Sequence, residues 1–326
     1  MTFPWLTFHA ASLPRVIPRT EYAHGVIYAI AAGVAFGTLG PVSNLAYGAG
    51  MSSPTFAAMR ATTGAVMLGA VLLAGRSGTV SLRGLSTRDR VLLGLTAIAQ
   101  AALSLALFAA YGAMAVALVV AVYFCYPLIV AGMSVALGRE RLTRTRVLAL
   151  AIALGGLTTV VLGGGSIGEK MTVAGLLLAA VAASCQATYL VASRSGFTRV
   201  PSQQATGLIL AGAATLMWLV AIPAELGSAH PGTWLGSPTA WAAIAVAGIL
   251  GAAVAKVWML RSVRRVGGTR AAVLMLAEPV TGVVLAGLIL GQGLSALQFA
   301  GGIAVLGGAL LAQRPAPART ARMARP

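Results

Sequence analysis

Long apolar runs recur along the chain with short polar punctuation between them, at residues 22–45, 54–75, 90–111, 114–137, 145–163, 172–192, 203–223, 239–260, 268–290 and 295–312. A helix needs roughly 20 such residues to cross a hydrocarbon layer about 30 Å thick, and each run is close to that length. Stretches such as Val173 to Val191 and Trp241 to Val254 are apolar or small on every face. A membrane barrel would alternate apolar and polar positions instead. Open sheets fail for a second reason, because unpaired strand edges in lipid cost several kcal/mol per group. The pattern predicts an all-α integral membrane protein with ten transmembrane helices. Composition agrees: 58% of residues are hydrophobic, 9% are charged and the mean hydropathy is +0.89.

Net charge is +17, which raises the question of nucleic acid. Placement answers it. Of the 23 Lys and Arg, 20 fall in the even-numbered connections or the terminal segments. These include Arg76, Arg83, Arg88 and Arg90 after the second span, Arg139 to Arg146 after the fourth, Arg194 and Arg199 after the sixth, and Arg261 to Arg270 after the eighth. The opposite connections hold Lys170, Glu169 and Glu225 and little else that is charged. By the positive-inside rule both termini are cytoplasmic, which demands an even number of spans. No nucleic-acid partner is implied. Residues 1–21 read as a cytoplasmic leader, and the Pro- and Arg-rich stretch 313–326 as a disordered cytoplasmic tail. Cys125 and Cys185 fall inside predicted spans, so they read as packing residues and not as a disulfide.

Shifting the sequence by about 152 residues superimposes its two halves. Tyr126-Pro127 falls on Glu278-Pro279, Leu142-Thr143 on Leu294-Ser295, and Leu154-Gly155-Gly156 on Leu306-Gly307-Gly308. Five helices per half is an odd number, so the halves, 22–165 and 170–312, cross the membrane in opposite senses. Two inverted five-helix repeats are expected, with a site at their interface exposed to each side in turn.

The run Leu137-Gly138-Arg139-Glu140-Arg141-Leu142-Thr143 followed by Gly155-Gly156 resembles the closing pattern of EamA-type repeats in the drug/metabolite transporter superfamily. Glu278-Pro279, Leu290-Gly291-Gln292-Gly293-Leu294-Ser295, Gly301-Gly302 and Gly307-Gly308 give a similar second copy, without an acidic residue to match Glu140. Arg60 also resembles an arginine common in that family. The resemblance implies a ten-helix exporter fold, with the bacterial amino-acid exporters, the aromatic ones included, as the nearest class.

Polar groups inside a membrane are costly, and each marks a candidate site. Gln100, Ser104 and Tyr111 share one stripe of the third span. Tyr123 with Tyr126, and Gln186 with Tyr189, each stand three residues apart and share a face in the same way. Such groups either line a cavity, where they offer hydrogen bonds and aromatic faces to a substrate, or join helices to one another. Lys256 and Glu278 stand out as charges deep in their spans. At about 1.5 Å rise per residue they lie at comparable depths, so the two side chains are expected to pair if their helices adjoin. Lys256 suits a substrate carboxylate, or snorkels to the inner interface. Pro41, Pro127 and Pro279 each remove a backbone hydrogen bond within a span and are the expected kinks or hinges. Gly33-x-x-x-Gly37 and Gly287-x-x-x-Gly291 allow close helix approach.

An enzyme is the other class to test. Gly75-Arg76-Ser77-Gly78 and Gly164-Gly165-Ser166-Ile167-Gly168 match short serine motifs, but His9, His24 and His230 place no base within a helix opposite either serine. Intramembrane proteolysis is therefore disfavoured. No phosphate loop or ATPase subunit is implied, and no metal or cofactor. The inverted repeat favours a carrier, and the resemblance implies a secondary transporter exporting small metabolites, most simply amino acids, across a bacterial inner membrane. A channel-like pore, or a multidrug, nucleoside or sugar exporter of the same fold, is the alternative.

Overall fold

The computed structural model describes residues 19–75, 78–113, 116–138, 143–163, 172–228, 231–290 and 295–312. Most of the expected leader, the tail at 313–326, residues 139–142 and 291–294 of the family-like motifs, and Ser77 and Ser166 lie outside the described residues. The described chain is helical, with no strand. In the first half, α1 (Arg19–Gly37) and α2 (Leu39–Gly48) form the first span, followed by α3 (Ser53–Leu73) and α4 (Thr87–Ala113). Next come α5 (Val116–Tyr123) with α6 (Tyr126–Ala136), then α7 (Arg144–Gly163). The second half runs α8 (Val173–Ser195), α9 (Ser202–Leu226), then α10 (Pro238–Val246) joined to α11 (Ala255–Val266) by a π-helical stretch, Ala247–Val254. It closes with α12 (Gly268–Leu274), α13 (Ala277–Leu290) and α14 (Ala296–Ala312). Among the described residues, 8 helical segments are long and apolar enough to cross a bilayer. The α12–α13 pair and the shorter α14 complete the ten.

Helix starts follow local chemistry. The side chains of Ser52, Thr172 and Ser237 accept hydrogen bonds from the backbone N–H groups of Thr55, Gly175 and Ala240, at 3.3, 3.0 and 3.3 Å. Each satisfies one of the donors that a helix leaves unpaired at its first turn. Large apolar side chains such as Ile27, Leu73, Leu177, Leu219 and Leu310 stay exposed, while the interior is rich in fully buried alanine. Lipid is as apolar as leucine, so exposure of leucine costs nothing there, and small residues let helices approach closely inside.

The packing is two-fold. With the halves exchanged, α4 against α8 becomes α11 against α1, and both contacts are present. Likewise α6 against α8 becomes α13 against α1, and α4 against α9 becomes the π-helical stretch against α3. The pairs α3–α9, α6–α12 and α7–α14 each join equivalent spans and straddle the axis. On α7–α14 the symmetry reaches single residues. A Cβ on Gly156 would sit 2.7 Å from the carbonyl oxygen of Gly301 and the N of Val305, and one on Gly308 would sit 2.7 Å from the carbonyl oxygen of Ala149 and the N of Ala153. Those neighbours are related by the 152-residue shift seen in the sequence.

The prolines act at breaks. α1 gives way to α2 at Thr38, with Pro41 in the first turn of α2; α5 gives way to α6 at Phe124-Cys125; and α12 gives way to α13 at Met275-Leu276. Pro127 and Pro279 are the second and third residues of α6 and α13. Proline cannot donate to the preceding turn and clashes with the carbonyl four residues back, so each span restarts there. The kinks expected at Pro127 and Pro279 are thus short breaks in equivalent places, whereas α8, the equivalent of α1 and α2, runs unbroken.

Replacing Gly156 or Gly308 by Leu should destabilise the protein by about 1–3 kcal/mol, the usual cost of overpacking. Gly155 is exposed, and a Cβ there would meet nothing within 4 Å, so Gly155→Leu is the control. Thermal unfolding in detergent checks this; equal losses for Gly155→Leu and Gly156→Leu would refute the close approach.

Candidate functional site

Two glycines of α1 bring the break in the ninth span against the first. A Cβ on Gly33 would lie 3.2 Å from the carbonyl oxygen of Met275, and one on Gly37 would lie 2.7 Å from that of Glu278. Only a residue without a side chain lets the backbones meet so closely. Glu278 therefore stands in the first turn of α13 at the interior break, its N–H donating to the Met275 carbonyl at 2.9 Å. Its equivalent Tyr126 opens α6 and is fully buried. The Tyr126 hydroxyl donates a 3.4 Å hydrogen bond to the carbonyl of Ala272 across the axis. Tyr123, Phe124 and Tyr126 form an aromatic cluster with ring centroids 4.9–6.0 Å apart.

Lys256 follows directly on the π-helical stretch and is 7% exposed. Its ammonium lies 4.7 Å from the ring centroid of Tyr189 and 5.3 Å from that of Phe36. The expected Lys256–Glu278 ion pair is not formed. α1 packs on both α11 and α13, and it presents the Phe36 ring to the ammonium where a carboxylate was expected. The two charges still interact electrostatically over a longer distance, and Arg60 of α3 interacts with both. Arg60 also acts on Tyr47 and Tyr123, and its Nε is buried with no hydrogen-bond partner among the described residues.

The remaining expected site residues divide. Gln186 and Tyr189 share the α8 face toward α11, with Gln186 Nε2 3.9 Å from the sulfur of Met259. Gln186 Oε1 and the Tyr189 hydroxyl are buried and without a partner among the described residues. Gln100 and Ser104 are buried on α4 and bond to each other at 3.2 Å, as their shared stripe predicted, and not to the charged cluster. The Tyr111 side chain lies outside the described residues.

Both membrane faces are tied. On the side rich in arginine, Arg264 donates to the carbonyls of Val200 and Phe197 at 2.9 and 3.1 Å and to the Ser202 hydroxyl at 3.2 Å. Arg194 donates to the carbonyl of Val263 at 2.8 Å, and Arg265 pairs with Glu21 at 2.7 Å. Phe197 is fully buried with φ +42°, an uncommon conformation for a bulky residue, and its N–H donates to Asp89 at 2.9 Å. On the opposite face the Glu225 carboxylate accepts from the Thr55 hydroxyl, the Trp234 indole and the Gly232 N–H at 2.7, 2.9 and 3.1 Å. Glu225, an exception in a nearly uncharged connection, is thus a structural tie.

Two consecutive five-helix repeats around a charged interior cluster have a counterpart among known families. The model of the EamA-like transporter family matches residues 23–162 and again 173–313. The chain belongs to the EamA-like transporter family. It is therefore a membrane transporter of the drug/metabolite superfamily. No curated protein matches it. A crystal structure described only as that of a protein is similar in fold, with 23% identity, a TM-score of 0.73, and coverage of 88% of this chain and 97% of its own.

Two members of this transporter's central cluster went unassigned on sequence. Arg60 was noted for its resemblance alone, although the charge census leaves it, with Lys170 and Lys256, outside the basic connections. An intramembrane arginine carries the same meaning as an intramembrane lysine. Phe36 carried no signal, because one aromatic in an apolar run is indistinguishable from packing.

Asp89→Ala should leave the Phe197 N–H unpaired in a strained loop at a cost of about 1–3 kcal/mol. Hydrogen exchange of residues 195–200, followed by mass spectrometry, is expected to accelerate. Unchanged protection would show that Asp89 does not hold this connection.

Proposed function

We propose that this EamA-like transporter exports small metabolites, with amino acids the nearest class, across a bacterial inner membrane by alternating access, with both termini cytoplasmic. One observation carries the reading: Arg60, Lys256 and Glu278 sit together inside the bundle, beside spans that break at equivalent places in two inverted halves. Buried charge at such an interface is the arrangement of carrier sites, and rocking one half against the other exposes it to each side in turn. Gln186, Tyr189, Lys256 and Glu278 are the proposed substrate contacts, with Tyr123 and Tyr126 completing the wall. Gln100, Ser104 and Tyr111 extend it along α4. Pro41, Pro127 and Pro279 mark the hinges.

Glu278 is the acidic residue within this cluster, so a relay of several carboxylates is not supported and flux follows the substrate gradient. Counterflow in proteoliposomes tests the carrier directly. Unlabelled substrate inside should accelerate uptake of labelled substrate several-fold and saturably, whereas unsaturable conductance would establish a pore. Imposing a pH gradient should leave the rate within about two-fold, the usual scatter between preparations. A larger response that disappears in Glu278→Gln would make the carrier proton-coupled.

A further inference from the structure

Building on the carrier reading, we propose that the central site selects substrates of net negative charge, small carboxylate-bearing anions docked by Lys256. The charges facing one another in the interior are two cations, Arg60 and Lys256, and one carboxylate, Glu278. Arginine stays protonated under all physiological conditions. The other groups named around the cluster, Tyr47, Tyr123, Tyr126 and Tyr189, are neutral phenols. From the arginine-rich side Arg264 also acts on Tyr189, adding positive potential and no acidic group. The site's own groups therefore carry a surplus of positive charge.

That surplus has an energetic meaning. A lysine within a membrane-spanning helix is costly and calls for compensation. A ring face returns only part of that cost, so Tyr189 and Phe36 together hold the ammonium without neutralising it. A carboxylate from Glu278 would neutralise it, yet α1 keeps the two apart. Lys256 is thus held buried on aromatic faces, without a salt bridge to any described carboxylate. The same geometry leaves Arg60 Nε, Gln186 Oε1 and the Tyr189 hydroxyl buried, with no hydrogen-bond partner among the described residues. An incoming carboxylate accepts from Lys256 and from the Tyr189 hydroxyl, while Gln186 Oε1 accepts from an amino or hydroxyl group beside it. A zwitterion leaves the surplus uncompensated; a cation adds to it.

Counterflow with four probes at equal concentration tests this in the full-length reconstituted protein: glutamate, lactate, phenylalanine and lysine. Initial rates for glutamate, lactate or both should exceed those for phenylalanine and lysine at least tenfold. Glutamate alone would show that the anion must be an amino acid; lactate at the same rate would show that the carboxylate suffices. Lys256→Met should lower anion exchange at least tenfold, and Lys256→Arg should restore part of it by returning the charge. The wild-type ranking needs no variant, so poor folding of Lys256→Met does not block the test. Saturable exchange of phenylalanine or lysine at the glutamate and lactate rates overturns the anion selectivity and leaves the carrier standing. Unsaturable leak of all four overturns both.

Discussion

The contact on which the architecture depends is the backbone approach of α7 and α14 at Gly156 and Gly308. Each glycine meets the partner helix where a side chain would collide with its main chain, and each meets the equivalent residues. In lipid no hydrophobic force drives helices together, so van der Waals contact between small residues has to do so. Closest approach at one pair of equivalent positions places the axis between α7 and α14. Lys256 and Ser104, and Glu278 and Tyr126, are the pairs that the 152-residue shift relates across it.

Symmetry of the scaffold makes the asymmetry of its chemistry informative. Under the same shift Tyr189 is matched by Gly37, Arg60 by Gly212 and Gln100 by Ala252. Each of these polar or charged groups has a small counterpart, so the chemistry of the frame is not duplicated with its helices. Gly37 shows why the substitution is one-sided. It is where α1 meets Glu278, and a tyrosine there would prevent the approach that places the carboxylate inside. Packing demands on one half free the other to carry the chemistry.

Much of this was legible in the sequence because it rests on local chemistry. Apolar runs and the 152-residue shift carry the all-helical character and the two repeats without tertiary information. Gln100 with Ser104, and Gln186 with Tyr189, shared faces because helical period guarantees it. Relations between spans were not legible. Depth alone suggested a Lys256–Glu278 pair, but whether two helices adjoin depends on what packs between them, and Gly33 and Gly37 put α1 there. The π-helical stretch before Lys256 was equally hidden: its wider turn changes which face carries the lysine, and Ala247–Val254 has no residue that announces it.

Two identical halves would give a carrier whose inward and outward states have the same energy, since each would be the other turned over. The ties at the two faces of this bundle differ. Thr172 at one face donates to the carbonyl of Ala113 at 2.8 Å. The equivalent place at the other face is taken by Glu21, next to Thr20, and Arg265. That pair is half-exposed and contributes little on its own, by the usual measure of surface ion pairs. Arg264 contributes more, because its charge-assisted bonds to Phe197, Val200 and Ser202 are partly buried and bridge two connections at once. Phe197 holds its uncommon conformation inside this network, with its N–H fixed by Asp89. Arginines of the class that the positive-inside rule counts thus also tie this face of the bundle together.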